Sequence, residues 1–278
     1  MPPAAAAFYT ADMDLLAYLI TGAFAGLIAG LLGVGGGLVI VPVLAFLFVR
    51  AGFEPGVVMH LAVGTSLATI VFTSISSVRA HHRHGAVRWP VFWQLTPGII
   101  VGALLGAWLA GFFATDGLRL FFALFEIGVA LQLAFGMKPR AHASPGAAAG
   151  SAWEHGLAGT VIGAVSALVG IGGGTLTVPW LVWRGTPMRN AVAISSACGL
   201  PIATAGAVGF ILTGWQVDTL PAQSLGYIYL PAFVGIVVTS VLFAPLGARL
   251  AHRLPVVVLK RFFAGFLMIL GIRMLYGL

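Results

Sequence analysis

The chain has 278 residues, of which 60% are hydrophobic and 8% charged, with a formal net charge of +7 and a mean hydropathy of +1.05. This balance excludes a soluble globular domain and predicts an all-α, polytopic helical membrane protein. The basic residues sit in short loops between apolar runs, where a membrane protein records its orientation, so nucleic acid is set aside as a partner. One cysteine, Cys198, excludes a disulfide framework and any cysteine-based metal centre.

In chain order, apolar runs bounded by breakers predict ten segments. The first, about 14–32, follows Asp12 and Asp14 rather than a basic region and has no small-residue cleavage site, so a retained helix is expected instead of a signal peptide. It ends in Leu32-Gly33-Val34-Gly35-Gly36-Gly37, and segments at about 37–49, 57–79, 89–113 and 117–137 follow. Lys138-Pro139-Arg140 and the Ala/Ser/Gly/Pro run behind them read as a linker over 138–152. Five further segments are expected at about 153–169, 174–184, 188–213, 225–251 and 256–277, with the phrase Val169-Gly170-Ile171-Gly172-Gly173-Gly174 between the first two.

The two sets of five align. Each glycine phrase is followed by a proline, Pro42 or Pro179; Thr65-Ser66 aligns with Ile194-Ser195, and Leu118-Arg119-Leu120-Phe121-Phe122 answers Leu259-Lys260-Arg261-Phe262-Phe263. The expected division is a first repeat at 1–137, a cytoplasmic linker at 138–152 and a second repeat at 153–278. Five segments per repeat is an odd number, so the second repeat runs inverted. A re-entrant hairpin in place of the first two segments leaves three crossings and the same parity. Under this topology all Lys and Arg except Arg50, Arg119 and Arg273 fall on one face. The positive-inside rule makes that face cytoplasmic and places both termini outside the cytoplasm of a multi-pass inner-membrane protein.

Glycine costs about 1 kcal/mol relative to alanine inside a helix, so the two phrases mark breaks that free backbone polar groups. Broken helices are tolerated in a membrane where they are buried in protein or line a cavity, and matched breaks in two repeats point to a binding site. The freed N–H groups and the positive end of the resuming helix suit an anion; close helix packing at small residues is the competing use. The candidate binding residues are Gly33, Gly35, Gly36, Gly37, Gly170, Gly172, Gly173 and Gly174, with hydroxyls at Thr65, Ser66, Thr175, Thr177, Ser195 and Ser196 and with Arg189 and Asn190 beside them. Ser and Thr also bond to their own helix, and a helix-end arginine also snorkels to the interface.

His60 aligns with Arg189 and, with Glu126, is a candidate coupling residue. Glu126 lies in an apolar span, where an ionisable group is a functional hypothesis by default; pairing with Arg273 or a structural, protonated role are its alternatives. The His81-His82-Arg83-His84 run has no acidic or cysteine companion and reads as a basic cytoplasmic loop, so no metal or cofactor is expected. No nucleophilic triad, carboxylate pair or P-loop is present, so an enzyme is not expected.

The doubled Gly-x-Gly-Gly-Gly-x4-Pro phrase, Arg189-Asn190-Ala191-Val192-Ala193-Ile194-Ser195-Ser196 and Gly247-Ala248-Arg249-Leu250-Ala251 resemble the sulfite exporter TauE/SafE family, over about 15–277. The resemblance implies a secondary carrier of sulfite, sulfoacetate or another organosulfonate, with export as the expected direction. The chain has no ATP-binding domain, so the expected mechanism is alternating access that is passive or driven by an ion gradient, with a proton or sodium as the coupling ion in the second case. An anion channel and a carrier of small carboxylates are the alternatives. The expected partners are the anion, the coupling ion and the bilayer; a homodimer stays open.

Overall fold

The computed structural model describes residues 3–33, 35–135, 152–250 and 256–277. Among these there are helices α1 (Pro3–Leu32), α2 (Gly37–Arg50), α3 (Val58–Arg83), α4 (Trp89–Ala110), α5 (Thr115–Phe135), α6 (Ala152–Val169), α7 (Gly174–Trp183), α8 (Met188–Gly214), α9 (Leu230–Leu250) and α10 (Val256–Tyr276). Six of them, α1 from Asp14, α3, α4, α5, α8 and α9, are long and apolar enough to cross a membrane. The linker expected at 138–152 lies outside the described residues except for Ala152, as do Lys138, Arg140 and Arg253.

Three boundaries differ from expectation. α1 begins at Pro3 rather than near 14, and α3 runs to Arg83, which carries His81 out of the expected loop. His81 is buried, with Nε2 3.2 Å from the Gly30 carbonyl of α1. The segment expected at 225–251 starts as a hairpin of β1 (Ser224–Leu225) and β2 (Ile228–Tyr229) before α9. Distant contacts fix this hairpin: Tyr227 N–H donates to the Phe210 carbonyl at 3.2 Å and Tyr229 N–H to Thr65 Oγ1 at 2.9 Å.

The glycine phrases build helical hairpins. At 1.5 Å per residue, α2 and α7 reach about 21 and 15 Å, short of a hydrocarbon core about 30 Å thick. Arg184 at the end of α7 pairs with Glu154 at the start of α6, and Trp180 stands edge-on to His155 at 5.2 Å. The outer ends of α6 and α7 therefore lie side by side. In the other half Tyr18 of α1 packs on Gly235 and Phe48 of α2 contacts Tyr229, so both ends of that hairpin lie by the start of α9.

Helices α3 and α8, equivalent in the two halves, lie antiparallel. From Gly64 through Leu67 and Ser74 to Ser77 along α3, the partners on α8 run backwards through Phe210, Gly206, Gly199 and Ser196. This is the register an inverted repeat requires, and it brings the two hairpins in from opposite ends. The other helices exchange partners between halves: α1 packs along α9, and α6 along α4. Glycines make both seams close. A Cβ at Gly22, Gly26 or Gly30 would overlap the carbonyls of Ile236, Ser240 and Ala244, and one at Gly98, Gly102 or Gly106 those of Gly156, Thr160 and Ala164. Small residues let membrane helices approach in this way, where apolar burial gives little drive for association.

Candidate functional site

The two glycine turns meet. A Cβ on Gly35 would lie 2.8 Å from Gly172 Cα and 3.3 Å from Ile70, in the middle of α3, and one on Gly37 would overlap the Gly170 carbonyl. The residues that cap the resuming helices are left-handed, Gly36 at φ 83° and Gly173 at φ 77°. A side chain there costs about 1–2 kcal/mol, which is why glycine holds both positions. The first N–H groups of α2 and α7 are left without helical acceptors, and both positive helix ends reach the interior of the protein.

The third helix of each half ties down the turn of the other. Ser66 Oγ donates to the Gly170 carbonyl at 2.8 Å, and Ser195 Oγ donates to the Gly33 carbonyl at 3.1 Å. Ser66 and Ser195 thus satisfy two carbonyls freed by the breaks and are not free donors for a substrate. Thr65 accepts from the β2 backbone. Arg189 and Asn190 also hold backbone: Asn190 Nδ2 donates to the Ala86 carbonyl at 2.8 Å and Arg189 Nη2 reaches the His84 carbonyl at 3.4 Å, clamping the turn between α3 and α4.

Beside the glycine contact lies a cleft too tight to hold a water molecule, lined by Ala29, Gly33, Gly35, Thr73, Ser74, Ser77, Gly172 and Ser196. Of the sequence candidates it gathers Gly33, Gly35, Gly172 and Ser196, and it adds Thr73, Ser74 and Ser77 from α3. Thr73 donates to its own helix or shares a 2.9 Å bond with Ser240 of α9, and Ser77 Oγ lies 3.4 Å from Ser196 Oγ. The missed hydroxyls carried a sequence signal: Ser66, Thr69, Thr73 and Ser77 recur at the three- and four-residue steps that line one helix face.

The remaining candidates lie elsewhere. His60 Nε2 donates to the Ala110 carbonyl at 3.0 Å and its ring stacks on Tyr227 at 4.9 Å. It is thirteen residues, about 20 Å along the helix, from Thr73. Glu126 is fully buried in α5, and neither carboxylate oxygen has a hydrogen-bond partner among the described residues. Arg273 is exposed, and no ion pair joins it to Glu126 among the described residues. Thr175 and Thr177 are buried near the start of α7 with unpartnered hydroxyls. An unsatisfied buried polar group costs about 1–3 kcal/mol.

Comparison with known proteins agrees with this architecture. The family described as Sulfite exporter TauE/SafE matches residues 18–274. A "Probable membrane transporter protein" of Haemophilus influenzae is 37% identical over 260 residues, covering 94% of this chain and 97% of its own. A similarly named protein of Methanocaldococcus jannaschii is 28% identical over 268 residues, covering 92% of this chain and 94% of its own. One of Bacillus subtilis is 30% identical over 229 residues, covering 77% and 84%. No solved structure matches the chain. The chain belongs to the TauE/SafE sulfite exporter family and is a multi-pass membrane protein of transporter type.

Proposed function

We propose that this member of the TauE/SafE family is a secondary transporter that moves a small sulfur-containing oxyanion, sulfite, sulfoacetate or another organosulfonate, across the cytoplasmic membrane by alternating access. The observation that carries the reading is the meeting of the two glycine turns, where Ser74, Ser77 and Ser196 line a closed cleft against glycine backbone from both halves, a place that alternating access would have to open for the anion. A sulfite or sulfonate group offers three acceptor oxygens, and the cleft wall offers hydroxyl and N–H donors next to positive helix ends. Charge without a cationic side chain suits a carrier, since an anion held by dipoles alone is bound and then released.

Direction follows from position. Ser74 and Ser77 lie past the middle of α3, toward Arg79 and Arg83, on the face that the positive-inside rule makes cytoplasmic. A site nearer that side supports loading from the cytoplasm and so export as the direction, and the same charge distribution supports both termini outside. Glu126 is the coupling candidate, because a buried carboxyl with no partner among the described residues is able to exchange a proton without breaking an ion pair.

Counterflow in proteoliposomes tests this reading. Internal unlabelled sulfite should accelerate uptake of labelled sulfite and saturate with concentration. Unitary currents under voltage clamp would replace the carrier by a channel, and counterflow driven by acetate but not by sulfite would replace the sulfur anion by a carboxylate.

A further inference from the structure

The hydroxyl-lined cleft has an apolar counterpart across the repeat. In the sequence alignment Thr73, Ser74, Ser77 and Ser196 correspond to Ile202, Ala203, Gly206 and Leu67, while Ala29 corresponds to Ser166 and Ile40 to Thr177. Apolar side chains fill that second space: Leu67 packs on Gly206, and the Ile202 methyl stands directly over Gly173. Beneath Ile202 lie two hydroxyls. A Cβ on Gly173 would be 3.3 Å from Thr177 Oγ1 and 3.6 Å from Ser166 Oγ. Both residues are fully buried, and neither hydroxyl has a partner among the described residues.

We propose that Ser166 and Thr177, at the N-terminus of α7, form a second oxyanion seat that the substrate occupies once Ile202 swings away. This deepens the transporter reading above and rests on it. The positive end of the ten-residue helix favours an anion over a cation, and the two hydroxyls that converge on it, unpartnered among the described residues, are able to donate to one. The seat is asymmetric, since the start of α2 has Ala29 and Ile40 at the same places. Passage of the anion between the cleft and this seat runs by the Gly35–Gly172 contact, guarded by Ile202.

The test is sulfite titration of detergent-purified protein by calorimetry, with chloride as the control anion. Ser166→Ala and Thr177→Val place at each site a residue like that of the first half, so the fold is expected to hold, and a thermal melt verifies it. The double variant should bind sulfite at least tenfold more weakly than wild type, while Ile202→Ala, which removes the cover and keeps both hydroxyls, binds it more tightly. Equal affinity in wild type and double variant overturns the seat and leaves the transporter reading standing, as does a loss in Ile202→Ala as large as that in the double variant. A wild type that responds no more to sulfite than to chloride overturns the sulfur-anion reading and the seat with it.

Discussion

Ser66 donates its hydroxyl to the carbonyl of Gly170, 104 residues further along the chain and in the other half, at 2.8 Å. Ser195 does the same for Gly33. Each bond joins a helix of one half to the turn of the other, so the pair works as a cross-lacing that holds the two hairpin tips against each other. Removing either hydroxyl leaves a buried carbonyl without its partner. Ser66→Ala and Ser195→Ala should each lower stability by about 1–3 kcal/mol, read as an earlier melting transition in detergent. A melt unchanged in both variants would show that the tips are held by packing alone.

Ser74 and Ser77 are expected to touch the anion. A hydrogen bond to a charged group contributes about 1.5–3 kcal/mol, so Ser74→Ala and Ser77→Ala should each weaken sulfite binding roughly ten- to hundredfold, with little change in melting temperature. Calorimetric titration checks this, and wild-type affinity in both variants would move the substrate out of the cleft.

Gly199 separates stability from function. A Cβ there would stand 2.7 Å from Ser74 Oγ and 3.2 Å from the Gly172 carbonyl, inside a helix where alanine is favoured over glycine by about 1 kcal/mol. Gly199→Ala should leave melting near wild type and slow counterflow several-fold. Transport at the wild-type rate would mean that this wall does not border the path.

The turn glycines call for a matched control. Gly52 is left-handed at φ 74° with open space around it, whereas a Cβ on Gly36 would lie 2.9 Å from the Ala25 carbonyl. Gly52→Ala should cost about 1–2 kcal/mol for backbone alone, and Gly36→Ala clearly more. Valine at Gly36 or Gly173 would therefore report on folding as much as on binding. Equal losses in Gly52→Ala and Gly36→Ala would show that the hairpin tip yields to a side chain.

Glu126→Gln should leave counterflow intact and abolish the acceleration of net transport by an imposed pH gradient. Vesicles with and without that gradient give the comparison. Acceleration that survives in the variant would make Glu126 structural.

The two helix breaks were legible in the sequence because a glycine phrase repeated in register is a backbone signal, and backbone signals are local; a hairpin and a full span read alike at that level. The ends of α1 at Leu32 and α6 at Val169, and the starts of α2 at Gly37 and α7 at Gly174, follow from it directly. The hydroxyl stripe of α3 was present in the spacing but is written in residues that commonly bond to their own helix, so only the cleft tells Ser74 and Ser77 from Thr69, which donates to Ser66 O at 2.7 Å. Arg189 and Asn190 align with the site and yet clamp the turn between α3 and α4, a partner that sequence proximity to the glycines cannot reveal. The β1–β2 hairpin was hidden for the same reason: Thr65 and Phe210, which hold it, are far away in the chain.

The exchanged seams have a consequence for how the protein is made. Gly22, Gly26 and Gly30 of α1 fit α9, and Gly98, Gly102 and Gly106 of α4 fit α6, so when the first half has left the ribosome both of its glycine faces are still waiting for helices not yet synthesised. The order of birth is thus opposite to the order of docking: α1, first into the bilayer, is completed only when the ninth helix arrives. What must stay joined is the interlocked pair of halves and not the covalent chain between them, so two fragments cut at the linker and made in the same cell carry all that is needed to find each other.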